Sequence, residues 1–132
     1  MIVIYNRLIP FKGFLAMTVW PLMFVRSDAR ELTDTDVNHE SIHARQQIEM
    51  MVTAFAIATI VFFFGGAWWT LLTCPVWYFL WYGVEYIIRC IAYAGDTRKA
   101  YRNILFEQEA FAHQDEEDYL DKRKPFAWLF KK

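Results

Sequence analysis

From Gln47 to Tyr86 the chain carries two formal charges, Glu49 and Glu85, among long runs of apolar and aromatic residues. Met50 to Trp69 is uncharged over 20 residues, about what a helix needs to cross the hydrocarbon core of a bilayer. A second run, Thr70 to Val84, continues past Glu85 into YIIRCIAYAG. Between the two, Gly65 and Gly66 are poor residues for a helix interior and predict a turn at FGGAWW. The pattern therefore predicts two antiparallel apolar helices, with Pro75 starting or kinking the second. A chain of 132 residues has too little protein to cover two such helices, so the expected setting is a membrane hairpin and not a soluble core. Trp68, Trp69, Trp77, Tyr78, Trp81 and Tyr82 suit an aromatic belt at the lipid–water boundary.

The charged positions bracket this hairpin. All 14 Lys and Arg fall in residues 1–46 or 89–132. Positive residues gather at the cytoplasmic ends of membrane helices, so both termini are expected on the cytoplasmic side of an inner membrane that the chain crosses twice. The stretch ELTDTDVNHESIH predicts the start of the first helix. Thr33 with Asp36 three residues on resembles a capping box, and Asp34 and Asp36 suit the positive end of the helix dipole. Nothing breaks the helix before Phe64, so a helix over 33–64 begins in water and runs on into the membrane. The second membrane helix is expected over 70–94. After Gly95 and Asp96 a cytoplasmic helix is expected over 97–121, and the acids at 115–118 read as its solvated end. The tail, 122–132, has aromatics followed by two lysines and suits an interfacial anchor.

Ahead of the hairpin, the uncharged stretch Gly13–Val25 is too short to span a bilayer. Thr18, Val19, Trp20, Phe24 and Val25 favour strands, and Pro21 confines a strand to an edge. Residues 1–32 are thus expected to form a short N-terminal β-hairpin or edge strand, with a re-entrant segment over 8–25 as the alternative. The fold class is mainly α, a single membrane-embedded domain. A net charge of −1 without a basic patch gives no reason to expect nucleic acid. MIVIYNRLIPFKG lacks a charged leading region and a small-residue cleavage site, and does not read as a signal peptide. Cys74 and Cys90 both fall in the apolar middle and read as buried thiols.

The chemistry concentrates in His39-Glu40-Ser41-Ile42-His43. Residues four apart on a helix stand one above the other. Both imidazoles then reach one Zn²⁺, and Glu40 beside them acts on a water at the metal. A catalytic zinc needs a third protein ligand and an open position. His113 is the only other histidine, and Glu85, Glu107 and Glu109 are the main acidic candidates. Glu109 and His113 form an i,i+4 pair of their own that would replace or supplement Glu107. Glu85 and Arg89 form another, read either as a neutralised pair near the interface or as a dock for the third helix or substrate. Tyr101 and Arg102, about two turns before Glu107, are candidates to stabilise an oxyanion.

HExxH followed by a helical E-x-x-A resembles the gluzincin zinc peptidases, nearest to the membrane-embedded CAAX-prenyl-protease-type enzymes and the small soluble minigluzincins. The matching residues are Glu107-Gln108-Glu109-Ala110. The resemblance implies Glu107 as the third zinc ligand, and an edge strand before the HExxH helix where AMTVWPLMFVR stands. It covers about 15–45 and 100–113. The chain departs from the CAAX-type pattern at Phe111, where an aspartate usually helps to orient a ligand. A group that orients a ligand must then come from elsewhere, with Asp36, Asp115 and Glu109 as candidates.

Two functions follow as expectations. The first is an integral-membrane zinc metallopeptidase. Glu40 is its general base, and a membrane-proximal peptide or protein tail adds to the edge strand around 17–25. The second is a non-catalytic membrane module that uses the metal as a structural clip, or serves protein interaction. Two spanning helices leave little room for a substrate cleft, which favours the second reading or a homo-oligomer.

Overall fold

A computed structural model describes residues 1–130. Three strands open the chain: β1 (Ile2–Asn6), β2 (Ala16–Val19) and β3 (Leu22–Arg26). β2 and β3 are antiparallel, from Ala16 opposite Val25 to Val19 opposite Leu22. β1 lies parallel on the other side of β3, from Ile2 opposite Leu22 to Asn6 opposite Arg26. The sheet order is therefore β1–β3–β2; β2 and β3 make the expected β-hairpin, and the edge-strand alternative over 17–25 needs correction. β2 is an edge, but β3 is central. Pro21 stands in the two-residue turn between them, where its missing N–H costs the ladder nothing. β1 was not foreseen, although Ile2, Val3, Ile4 and Tyr5 are good strand residues.

Helix α1 (Asp34–Phe63) starts at a Thr33 cap with a capping box. The Asp36 backbone N–H donates to Thr33 Oγ1, and the Thr33 N–H donates to the Asp36 carboxylate. Arg30 also pairs with Asp36 at 2.6 Å, which holds the Asp36 carboxyl well below the usual carboxylate range. At about 1.5 Å per residue the helix is about 45 Å long. Its halves bury different chemistry. The first half buries Glu40, Ile42, His43, Ala44, Gln46 and Gln47; the second buries only Ala54 and Ala58. These two alanines pack on Cys74, and small residues there let the two backbones approach closely. Around them Phe55, Ile57, Phe63 and Phe64 are exposed, Phe64 to 88%.

Gly65 takes φ +89° at the turn, which a β-carbon would resist. A 3-10 helix (Trp68–Val76) containing Pro75 leads into α2 (Trp77–Ala92). The expected single helix over 70–94 is thus two, because proline cannot donate to an α ladder. Both long helical stretches, Asp34–Phe63 and Trp68–Ala92, are long and apolar enough to cross a membrane by length and composition.

The helix expected over 97–121 is also divided. α3 (Thr97–Arg102) is capped by Asp96, whose carboxylate accepts from the Lys99 N–H. α4 (Leu105–His113) follows, then α5 (Tyr119–Lys122). The break falls at Ile104, which is extended and fully buried. No glycine or proline marks it. Glu85 stabilises it from α2, its carboxylate accepting the Leu105 N–H at the start of α4. Ile104, Phe106, Tyr78 and Trp128 form the core against which α4 rests. Trp128, in the tail read as an interfacial anchor, turns inward at 4.5 Å from the Phe106 ring. Leu129 and Phe130 remain exposed, and the two terminal lysines of that reading lie outside the described residues. Cys74 is buried and Cys90 half-buried, and both are free thiols.

Phe106→Ala removes a ring from the centre of this core and is expected to cost about 3–5 kcal/mol. Thermal unfolding in detergent checks it, with the exposed Ile87→Ala as a control that leaves the midpoint nearly unchanged.

Candidate metal centre

The first half of α1 faces the sheet on one side and α4 on the other. Its i,i+4 repeat stacks His39 over His43 with Nε2 atoms 3.1 Å apart. α4 brings Glu107 to them. One carboxylate oxygen lies 3.3 Å from His43 Nε2 and the other 3.5 Å from His39 Nε2. Glu107 is 2% exposed. Tyr82 OH donates to its Oε1 at 2.8 Å, while its Oε2 is buried without a hydrogen-bond partner. An orphaned carboxylate oxygen of this kind calls for a partner.

The donor set fits zinc. One ligand atom from each of His39, His43 and Glu107 lies within 4.8 Å of the other two, with the two Nε2 atoms 3.1 Å apart, close enough to converge on one ion. The remaining imidazole nitrogens face amide oxygens: His39 Nδ1 is 3.0 Å from Gln114 Oε1, and His43 Nδ1 is 2.8 Å from Gln46 Oε1. A proton on each Nδ1 leaves the Nε2 lone pairs free to ligate. The electrostatics agree. Burial pushes the His43 pKa down, but the Glu107 carboxylate outweighs it and raises it to about 9. Burial likewise pushes Glu107 up, and the two histidines outweigh that and hold it well below the usual range. The space between these three groups favours a cation.

Glu40 stands one residue from His39 and lines the same cavity, of about 990 Å³. Its Oε2 accepts a 2.7 Å hydrogen bond from Thr18 Oγ1 on β2. Gln47, one turn beyond His43, bonds the outer edge of that strand twice. It donates to the Thr18 carbonyl at 2.7 Å and accepts from the Trp20 N–H at 2.8 Å. That part of the edge, within the stretch expected to take substrate backbone, is already occupied.

Other expected residues fall elsewhere. Glu109 is turned from the three donors toward Arg123, Tyr119 and Gln46. His113 stacks on Tyr119 with ring centroids 3.9 Å apart and pairs with Glu116. Asp115 accepts from Thr35 at the surface, and Asp36 serves the helix cap. Glu85 pairs with Arg89 at 2.9 Å and caps α4. Tyr101 and Arg102 both line the cavity. Burial, then Glu107, pushes the Tyr101 hydroxyl pKa well up, and the Arg102 guanidinium lies over Phe111. Gln46, Gln47, Gln114, Thr18 and Tyr82 were not foreseen as site residues. Tyr78 and Tyr82, read as belt residues, face the site, and the spacing Tyr78, Tyr82, Tyr86 along one helix face was the available signal. Trp68, Trp69, Trp77 and Trp81 are exposed.

Comparison with protein-family models, curated proteins and solved structures finds no match.

Two outcomes are expected. His39→Ala and His43→Ala abolish stoichiometric zinc binding and Glu107→Ala weakens it strongly, as metal analysis of the purified protein would report. The second concerns pH in metal-free protein. The folded His43 pKa lies above its ordinary 6.5, so its contribution to stability is complete below about pH 6.5 and lost as pH rises toward about 9. Glu107 is depressed, so its contribution is present above its ordinary 4.5 and lost on acidification. The melting temperature of metal-free protein should fall between pH 7 and about 9, and saturating zinc should flatten that fall.

Proposed function

We propose that the chain is an integral-membrane zinc metallopeptidase acting on membrane-proximal peptides or protein tails. The observation that carries this reading is one cavity wall on which His39, His43 and Glu107 cluster, with a ligand atom of each within 4.8 Å of the others, and Glu40 beside them. Zinc bound there would polarise the scissile carbonyl and acidify the attacking water. Glu40, presented to the cavity and oriented by Thr18, takes the proton of that water and hands it to the leaving amine. Tyr101, whose hydroxyl burial keeps protonated, lines the same cavity and would donate to the developing oxyanion. Tyr82 holds Glu107 in place through its 2.8 Å bond.

A membrane setting is supported by the apolar surface. Ile57, Ile60, Phe63, Phe64, Trp68 and Leu72 are all more than half exposed, and soluble monomers rarely expose contiguous patches of this kind. On this reading the apolar parts of Asp34–Phe63 and Trp68–Ala92 enter the bilayer, both termini are cytoplasmic, and the site lies at the cytoplasmic face.

Glu40→Gln should keep zinc and fold yet lose about 10²–10⁴-fold in hydrolysis, because glutamine fills the space but cannot accept the proton. Co-purification with this variant should enrich a membrane-associated substrate. The same partners and cellular proteolysis pattern in wild type and Glu40→Gln would leave the metal as a clip between α1 and α4. Accessibility tagging is expected to place both termini in the cytoplasm; a C-terminus on the opposite side would sink the topology.

A further inference from the structure

Gln46 is fully buried directly behind His43. Its Nε2 donates to the Phe106 carbonyl and to Glu109 Oε2, both at 3.0 Å. A carbonyl and a carboxylate only accept, so the NH₂ group must face them. The orientation of the amide is thereby fixed, and Oε1 faces His43 Nδ1 at 2.8 Å. An amide oxygen also only accepts, so Nδ1 must carry a proton. Tyr78 OH, 3.2 Å from the same nitrogen, offers the opposite arrangement, in which Nδ1 accepts. That arrangement would leave two lone pairs facing each other across 2.8 Å.

The chain of bonds does not stop at Glu109. Arg123, beyond α5, bonds both Glu109 oxygens through Nε and Nη2, and also pairs with Glu49 on α1. Its side chain is 1% exposed. Tyr119 OH donates to Glu109 as well, at 2.8 Å. Glu109 is therefore surrounded by donors, and Gln46 has no reason to reverse.

We infer that Arg123, Glu109 and Gln46 are positioning residues that fix His43 as an Nε2 metal ligand, so that the segment after α5 sets the state of the metal centre. This rests on the zinc reading for its consequence but not for its geometry.

Two readouts test it on the full chain in detergent. The first is zinc affinity by chelator competition. Gln46→Leu should lose about 10–100-fold, Arg123→Met should lose affinity in the same direction, and Arg123→Lys should recover part of it. The second is the His43 Nδ1 proton in ¹⁵N-edited spectra, hydrogen-bonded and slow to exchange in wild type and fast to exchange in Gln46→Leu and Arg123→Met. Asp28→Asn breaks the Arg26–Asp28 ion pair at the end of β3, which touches none of the relay residues. It should lower the melting temperature but leave both readouts alone. If Arg123→Met lowers the melting temperature while zinc affinity and the Nδ1 proton stay as in wild type, Arg123 is a structural ion pair and the inference is wrong. Should Gln46→Leu fail to fold, the Arg123 pair carries the same test from the far end. If wild type binds no zinc, the peptidase reading fails, and the Nδ1 proton still decides whether the relay exists.

Discussion

The structure turns on the buried carboxylate of Glu107 held between two imidazoles. Taking a carboxylate out of water is costly unless it is paired and hydrogen-bonded, and here the pairing requires three elements to meet. α1 supplies the histidines from consecutive turns, α2 supplies the Tyr82 hydroxyl, and α4 supplies the carboxylate itself. α4 reaches that position because the chain breaks at Ile104 and Glu85 caps the new helix start. A continuous helix from Thr97 would have turned Glu107 elsewhere. The local cost of breaking a helix is offset by the burial of Ile104 at the break and of Phe106 just after it.

The same logic explains the two faces of α1. Its first half is polar yet buried, with every inward group matched: His43 to Gln46, Gln46 to Glu109, Gln47 to β2, Glu40 to Thr18. Its second half is apolar yet mostly exposed. A water-soluble helix inverts that arrangement. The charge distribution along the sequence and the burial pattern in the fold thus describe one division of the molecule, into a polar body and an apolar hairpin.

How much was legible beforehand follows from how local each signal is. Thr33 and Asp36 mark a helix start within four residues, and α1 begins there. HExxH fixes two donors by helical geometry alone, and Gly65 marks the turn. Glu107 was picked out by resemblance and not by spacing, since nothing in the sequence alone chooses it over Glu109. The break at Ile104 carries no local mark, because it is imposed by Glu85, 20 residues away along the chain. Gln46 and Gln47 carry no mark of their own in the sequence, and their roles exist only once α4 and β2 lie against them. Tyr78 and Tyr82 went to the lipid boundary in the sequence reading because aromatic residues in an apolar helix carry no mark of which face is covered.

α1 has no glycine or proline from Asp34 to Phe63, so the two histidines of the site and the apolar tip belong to one helix without a hinge. From His43 to Phe63 that helix runs about 30 Å, and a tilt of roughly 5° about His43 would swing its far end by about 2.5 Å. The converse holds as well. Whatever sets the angle of the apolar end also sets the angle at which both imidazoles meet Glu107, and with no hinge between them a displacement at one end arrives at the other.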